Sequence, residues 1–226
     1  KLIFKTYNQI DLYFLFISNN DYICKMIAVI TGDIINSQHA DTEVWITKLK
    51  NLLEHWGSAP GTWEIYRGDE FQFKCKIDEV FWRFLAIKSL IKSQENLDVR
   101  IAIGIGEENF SSEKITESNG TAYVHSGRLL NDLKNDGHTV SIKTSNDSVD
   151  RDLNILLKWS SKDFDSWTVA NAEIIHEMIM NKDITQEDLA KKFAISQSSV
   201  SQRLKRANYE LIVETNQYFR KKISEL

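Results

Sequence analysis

Between residues 26 and 106 the chain changes hydrophobic period in an order that few folds accept. Residues 26–32 form a short apolar run closed by glycine, the mark of a buried strand. Residues 41–56 carry Val44, Trp45, Leu49, Leu52 and Leu53 at helical spacing, and Gly57 ends the stretch. Residues 62–67 and 70–76 alternate with a period of two around Gly68-Asp69, a hairpin signal. Residues 79–94 read as a second amphipathic helix, and 99–106 as a strand ending in Gly104-x-Gly106. The order is β-α-β-β-α-β. It predicts an α/β (α+β) fold of the ferredoxin-like kind, with strands arranged 4-1-3-2.

Beyond a polar loop at 107–119, the pattern predicts a helix near 121–134, a strand near 138–143 and helices over 146–166 and 167–180. Residues 182–226 form a compact helical module. The predicted division is an α/β domain at 26–145 and a helical bridge with its module at 146–226. Residues 1–25 stand apart. Their apolar cluster, Leu12 to Ile17, is far shorter than the roughly 20 residues that span a bilayer. The first methionine is Met26. The preferred reading is a leader or upstream segment; the alternative is an extra edge strand at 11–17. At 42% hydrophobic residues the chain has enough apolar material for a core, which excludes wholesale disorder. Two cysteines, Cys24 and Cys75, build neither a disulfide framework nor a four-cysteine zinc site. A reducing cytoplasm is the expected setting, with no membrane association.

In a 4-1-3-2 sheet, strands one and three are antiparallel neighbours. Asp33, at the end of the first, then lies beside Asp69, at the start of the third. Two carboxylates held that close repel unless a cation or a shared proton intervenes. Hard oxygen donors suit Mg²⁺ or Mn²⁺, which also take substrate phosphates. Ile34-Ile35-Asn36-Ser37, directly after Asp33, can turn backbone N–H groups toward such phosphates. The bland alternative is that Asp33 caps a helical turn and Gly68-Asp69 is hairpin chemistry. Arg67 and Arg128 then pair with Asp69 or Glu70.

Three stretches together resemble a known family. Gly32-Asp33-Ile34, Gly68-Asp69-Glu70-Phe71 and residues 100–106 resemble the palm-like superfamily of class III nucleotide cyclases and diguanylate cyclases. Residues 27–37, Gly68 to Gln72 and Gly120 to Arg128 more closely resemble the SatD family, which also carries a C-terminal helix-turn-helix. The cyclase resemblance implies a metal held by Asp33, the carbonyl of Ile34, Asp69 and Glu70. The nucleotide-binding candidates are Asn36, Ser37, Arg67 and Arg128. Asp33, Asp69 and Arg128 are the catalytic candidates, in a Mg²⁺- or Mn²⁺-dependent nucleotidyl transfer or cyclisation. Two departures weigh against turnover. Arg67 stands where diguanylate cyclases have a first glycine, and Val124 stands four residues before Arg128, where class III cyclases place an asparagine.

The strongest single motif is Thr185 to Arg206. Thr185 and Asp188 form a capping box. Leu189, Ala190 and Phe193 supply a buried face, Ala194-Ile195-Ser196 the turn, and Ser196 the next cap. Val200 and Leu204 point inward. Gln197, Ser198, Ser201, Gln202 and Lys205 are left outward, where short polar groups reach base edges in the major groove. Arg203 and Arg206 flank them for phosphates. This resembles the helix-turn-helix of many bacterial regulators. Residues 182–226 hold nine Lys/Arg against six Asp/Glu, a net +3 within a chain of net −4. The expectation is a DNA-binding regulator whose α/β domain senses a nucleotide and a divalent metal. The alternatives are a phosphoester enzyme and a non-catalytic scaffold. A final helix at 207–222 covers the module or pairs with a second copy in a homodimer.

Overall fold

The computed structural model describes residues 25–226. The leader reading, and the edge strand at 11–17, fall outside the described residues. The elements are β1 (Lys25–Ile35), α1 (Thr42–Glu54), β2 (Trp63–Tyr66), β3 (Glu70–Cys75), α2 (Val80–Lys92), β4 (Asp98–Glu108), α3 (Thr121–Asp136), β5 (Val140–Lys143), α4 (Asp147–Ser166), α5 (Val169–Met180), α6 (Gln186–Lys192), α7 (Gln197–Arg206) and α8 (Tyr209–Ile223). The strands form one sheet in the order β2-β3-β1-β4-β5. β1 is antiparallel to both β3 and β4, and β5 extends the sheet parallel to β4. The described residues therefore form a five-stranded mixed sheet with helices, followed by an all-helical region. The expected adjacency of strands one and three is present.

The period of two in β1 sorts its side chains onto two faces. Ala28 and Ile30 join Ile101, Ile103 and Ile105 in the main core, under α1 and α2. Ile27 and Val29 face the other way, onto Ala122 and Tyr123 of α3. Two glycines make these layers fit. A Cβ at Gly104 would lie 2.1 Å from the Ala122 carbonyl oxygen, so α3 can rest on β4 only if residue 104 has no side chain. A Cβ at Gly32 would lie 2.3 Å from the ring of Phe71, its partner in β3. The Gly32 and Phe71 positions of the two acidic motifs are thus one packing unit.

α2 departs from the amphipathic helix expected for it. Every residue from Phe84 to Ile91 is buried, because α1, α4 and α5 pack around α2 as well as the sheet. Lys88 falls inside this enclosure and is 4% exposed. Its ammonium donates to Asp98 at the start of β4 and to Asp165 at the end of α4, the latter at 2.6 Å. At the outer edge of β5, Asn154 accepts from the Ile142 N–H and donates to the Ile142 carbonyl, closing an edge open to further pairing.

The apolar core continues from the sheet into the helical region without a break. Phe81 packs on Phe219 of α8, and Phe84 on Phe164 of α4, while Leu189, Val200 and Leu204 belong to the same cluster. Among the described residues no helix is long and apolar enough to cross a membrane.

Candidate functional site

The β1 register decides what stands beside Asp33. Asp33 pairs with Glu70 in β3 and with Arg100 in β4, and Glu70 pairs with Tyr66 in β2. Alternation puts all four on the α3 face, so Tyr66, Glu70, Asp33 and Arg100 form one row across four strands. Asp33 is 8% exposed. Its Oδ2 accepts from Arg100 at 2.8 Å, and its Oδ1 lies 3.7 Å from Lys134 Nζ. Lys134, from the last turns of α3, also donates to Glu70 Oε1 at 2.8 Å. The Glu70 hydrogen bond, with the charges of Asp33 and Asp69, holds the Lys134 ammonium above the usual lysine range. Burial, reinforced by the Glu70 charge, pushes the Tyr66 phenol up to about 12. Two carboxylates and two cations thus compensate one another along the row.

Asp69 is placed differently. It closes the hairpin loop Arg67-Gly68-Asp69, in which Arg67 and Gly68 both adopt positive φ (53° and 84°). Its carbonyl accepts from the Ile34 N–H at 3.1 Å, and its carboxylate accepts from Ser37 Oγ at 3.0 Å. The end of β1 and the Ser37 turn that follows it therefore fold against the hairpin tip. Among the described residues Asp69 makes no ion pair. Asn36 donates instead to the Asn96 carbonyl at 3.1 Å. Arg67, with a side chain 80% exposed, lies 3.9 Å from Glu70. A recess of about 360 Å³ lined by Glu64, Tyr66, Arg67 and Gln72 opens beside the row.

The structure brings Asp33, Ile34, Ser37, Arg67, Asp69 and Glu70 to one edge of the sheet. It does not bring Arg128 there. Around it α3 turns Ser126 and Leu130 to the sheet, and Arg128 is exposed on the outer side. Arg100 and Lys134 are the site residues that motif reading missed. The register of β1 against β4 could have supplied Arg100; nothing local marks Lys134. Lys134 occupies the position between Asp33 and Glu70, and no three or more His, Cys, Asp or Glu among the described residues are grouped to hold an ion.

The helical region carries the second candidate surface. Thr185 and Asp188 make both bonds of the capping box at the start of α6, and Ser196 Oγ accepts from the Ser199 N–H at the start of α7. Ala194 supplies the turn with φ 51°. Val200 and Leu204 are buried under α5 and α6, while Gln197, Ser198, Ser201, Gln202, Lys205 and Arg206 are exposed and Arg203 is half-buried.

The class defined by these features is a mixed α/β protein with a compensated charge row on one sheet face and a C-terminal all-helical region. The SatD family model matches residues 26–223, and the chain belongs to the SatD family. No curated protein and no solved structure matches it.

Proposed function

We propose that the chain is a DNA-binding regulator: a helix-turn-helix, α6 and α7, carried on a palm-like α/β domain of ferredoxin-like order. The observation that carries this reading is the division of α7. Its inner positions, Val200 and Leu204, are buried, and its outer positions are short amides, hydroxyls and cations with no apolar residue among them. Such a face suits base edges and phosphates rather than a protein core. The +3 charge of residues 182–226 adds to the attraction for DNA. The test is binding of the full chain to genomic fragments over a range of salt. Affinity that falls with the logarithm of salt concentration is expected. Absent or salt-independent binding rejects the reading.

The α/β domain is the sensing part in this proposal, and Asp69 favours that role. It is a half-exposed carboxylate held by a serine hydroxyl beside a recess, next to a row of compensated charges. A nucleotide with Mg²⁺ or Mn²⁺ on Asp33, the Ile34 carbonyl, Asp69 and Glu70, with Asn36, Ser37 and Arg67 near its phosphates, requires Lys134 to leave its present place. The intact Lys134 and Arg100 pairs, and the outward Arg128, favour sensing over turnover. Incubation with ATP or GTP and Mn²⁺ separates the two. A product lost in Asp69→Asn supports an enzyme. Nucleotide binding without product supports a sensor.

A further inference from the structure

Four large apolar side chains crowd one seam on the helical side of the molecule. Ile155 and Trp159 on α4 are 56% and 77% exposed, and Leu211 and Tyr218 on α8 are 58% and 43% exposed. The two helices run antiparallel, tied by Asp152 to Lys222 at 2.9 Å and by Asn208 to Asp163 at 2.8 Å. Residues seven apart share a side of a helix. Trp159 is therefore in line with Asp152, and Leu211 with Tyr218, which lies one turn from Lys222. Trp159, Leu211 and Tyr218 thus stand on the shoulders of the seam, with Ile155 one turn before Trp159.

The two ties fix which residues stand level. Ile155 is level with Tyr218, and Trp159 is within a turn of Leu211. Outside this strip, exposed Lys158 is level with exposed Glu214, and Lys162 with Glu210. One flank is basic and the other acidic.

We propose that this face binds a second copy of the chain, about a two-fold axis running along the α4–α8 seam. Such an axis lays α4 of one copy over α8 of the other at unchanged levels. Ile155 and Trp159 then meet Tyr218 and Leu211 of the second copy, and Lys158 and Lys162 meet its Glu214 and Glu210. A partner of another kind would have no reason to match both the apolar strip and the charge order of this chain. Arg151 and Lys221 fall level as like charges near Lys222, which weakens that end. The face is about 22 Å long, from 1.5 Å per residue, and about 20 Å wide. That is small for a specific interface, so dissociation in the micromolar range is expected. The pairing stands on these side chains, not on the DNA reading. It would place two α7 helices on one particle, as paired half-sites require.

Sedimentation equilibrium of the full chain, without DNA, tests it. The unaltered chain is expected to be a reversible dimer at micromolar concentration. Trp159→Glu with Leu211→Glu is expected to give a monomer with unchanged circular dichroism and melting. Lys158→Glu alone and Glu214→Lys alone are each expected to weaken the dimer about tenfold or more. The two together are expected to restore it. An unaltered chain that stays monomeric, a dimer that survives the double glutamate variant, or a charge swap no tighter than its single changes overturns the proposal.

Discussion

Replacing Lys88 by alanine is expected to cost about 3 kcal/mol of stability, the lower end of the roughly 3–5 kcal/mol lost when one partner of a buried ion pair is removed. The Lys88 side chain is 5% exposed, that of Asp98 18% and that of Asp165 34%. The greater exposure of Asp165 sets the estimate at the lower end, because solvent screens part of its charge. Without the ammonium, two carboxylates face each other, and Lys92, 3.6 Å from Asp98, is already donating to the Asp165 carbonyl. For a chain of this size each kcal/mol moves Tm by about 2–4 °C, so a fall of about 6–12 °C is expected. Lys88→Met keeps the apolar stem and loses only the charge, and it should recover part of the packing but not the electrostatic cost. Combining Lys88→Met with Asp98→Asn and Asp165→Asn removes all three charges and should return most of the lost stability. Urea titration of the four proteins reads these differences. A loss below about 1 kcal/mol in Lys88→Ala, or a triple variant no more stable than Lys88→Met, refutes the reasoning.

Two further perturbations address the helix layers. Gly104→Ala forces a methyl group to within 2.1 Å of a backbone oxygen of α3, and a loss of about 1–3 kcal/mol is expected on urea titration. Gly127, in the middle of α3, has open space within 4 Å of where a methyl group would stand, so Gly127→Ala should stabilise by about 0.5–1 kcal/mol; equal effects at the two glycines would contradict the layer packing. His176, on α5, faces Ser89 and the Ala86 carbonyl, with Glu177 and Lys192 as its charged neighbours. Burial lowers its pKa below the ordinary 6.5. The unfolded chain therefore takes up the proton first as pH falls. The stability of neutral His176 is intact above about 6.5 and declines below it, levelling off under the folded pKa. Urea midpoints between pH 7.5 and 5.5 should fall less in His176→Gln than in the unaltered chain; identical slopes would remove His176 from the acid response.

What could be read from the sequence follows from range. Thr185 with Asp188, Ser196 with α7, and the hairpin at Gly68 depend on neighbours within a few positions, and the residues carry the geometry themselves. The β-α-β-β-α-β order placed Asp33 near Asp69, because sheet order follows from connection lengths. It says nothing of register, which sets Glu70, not Asp69, directly opposite Asp33. Lys134 meets Glu70 across 64 positions, and only the placement of α3 on the second sheet face brings it there. Lys88 was hidden for a related reason. A periodic stripe predicts one buried face, and no local pattern says that further helices will enclose the others.

If α7 reads DNA as proposed, Arg206→Ala and Gln202→Ala should fail in different ways on one selected site. Arg206→Ala is expected to weaken binding to matched and mismatched sequences alike and to reduce the log–log salt slope by about 0.9 per lost phosphate contact. Gln202→Ala is expected to leave that slope unchanged and to cost about 1–3 kcal/mol of discrimination at its base pair. Salt-dependent binding that neither substitution alters would contradict the assignment of α7, and no binding to any sequence would contradict the account as a whole.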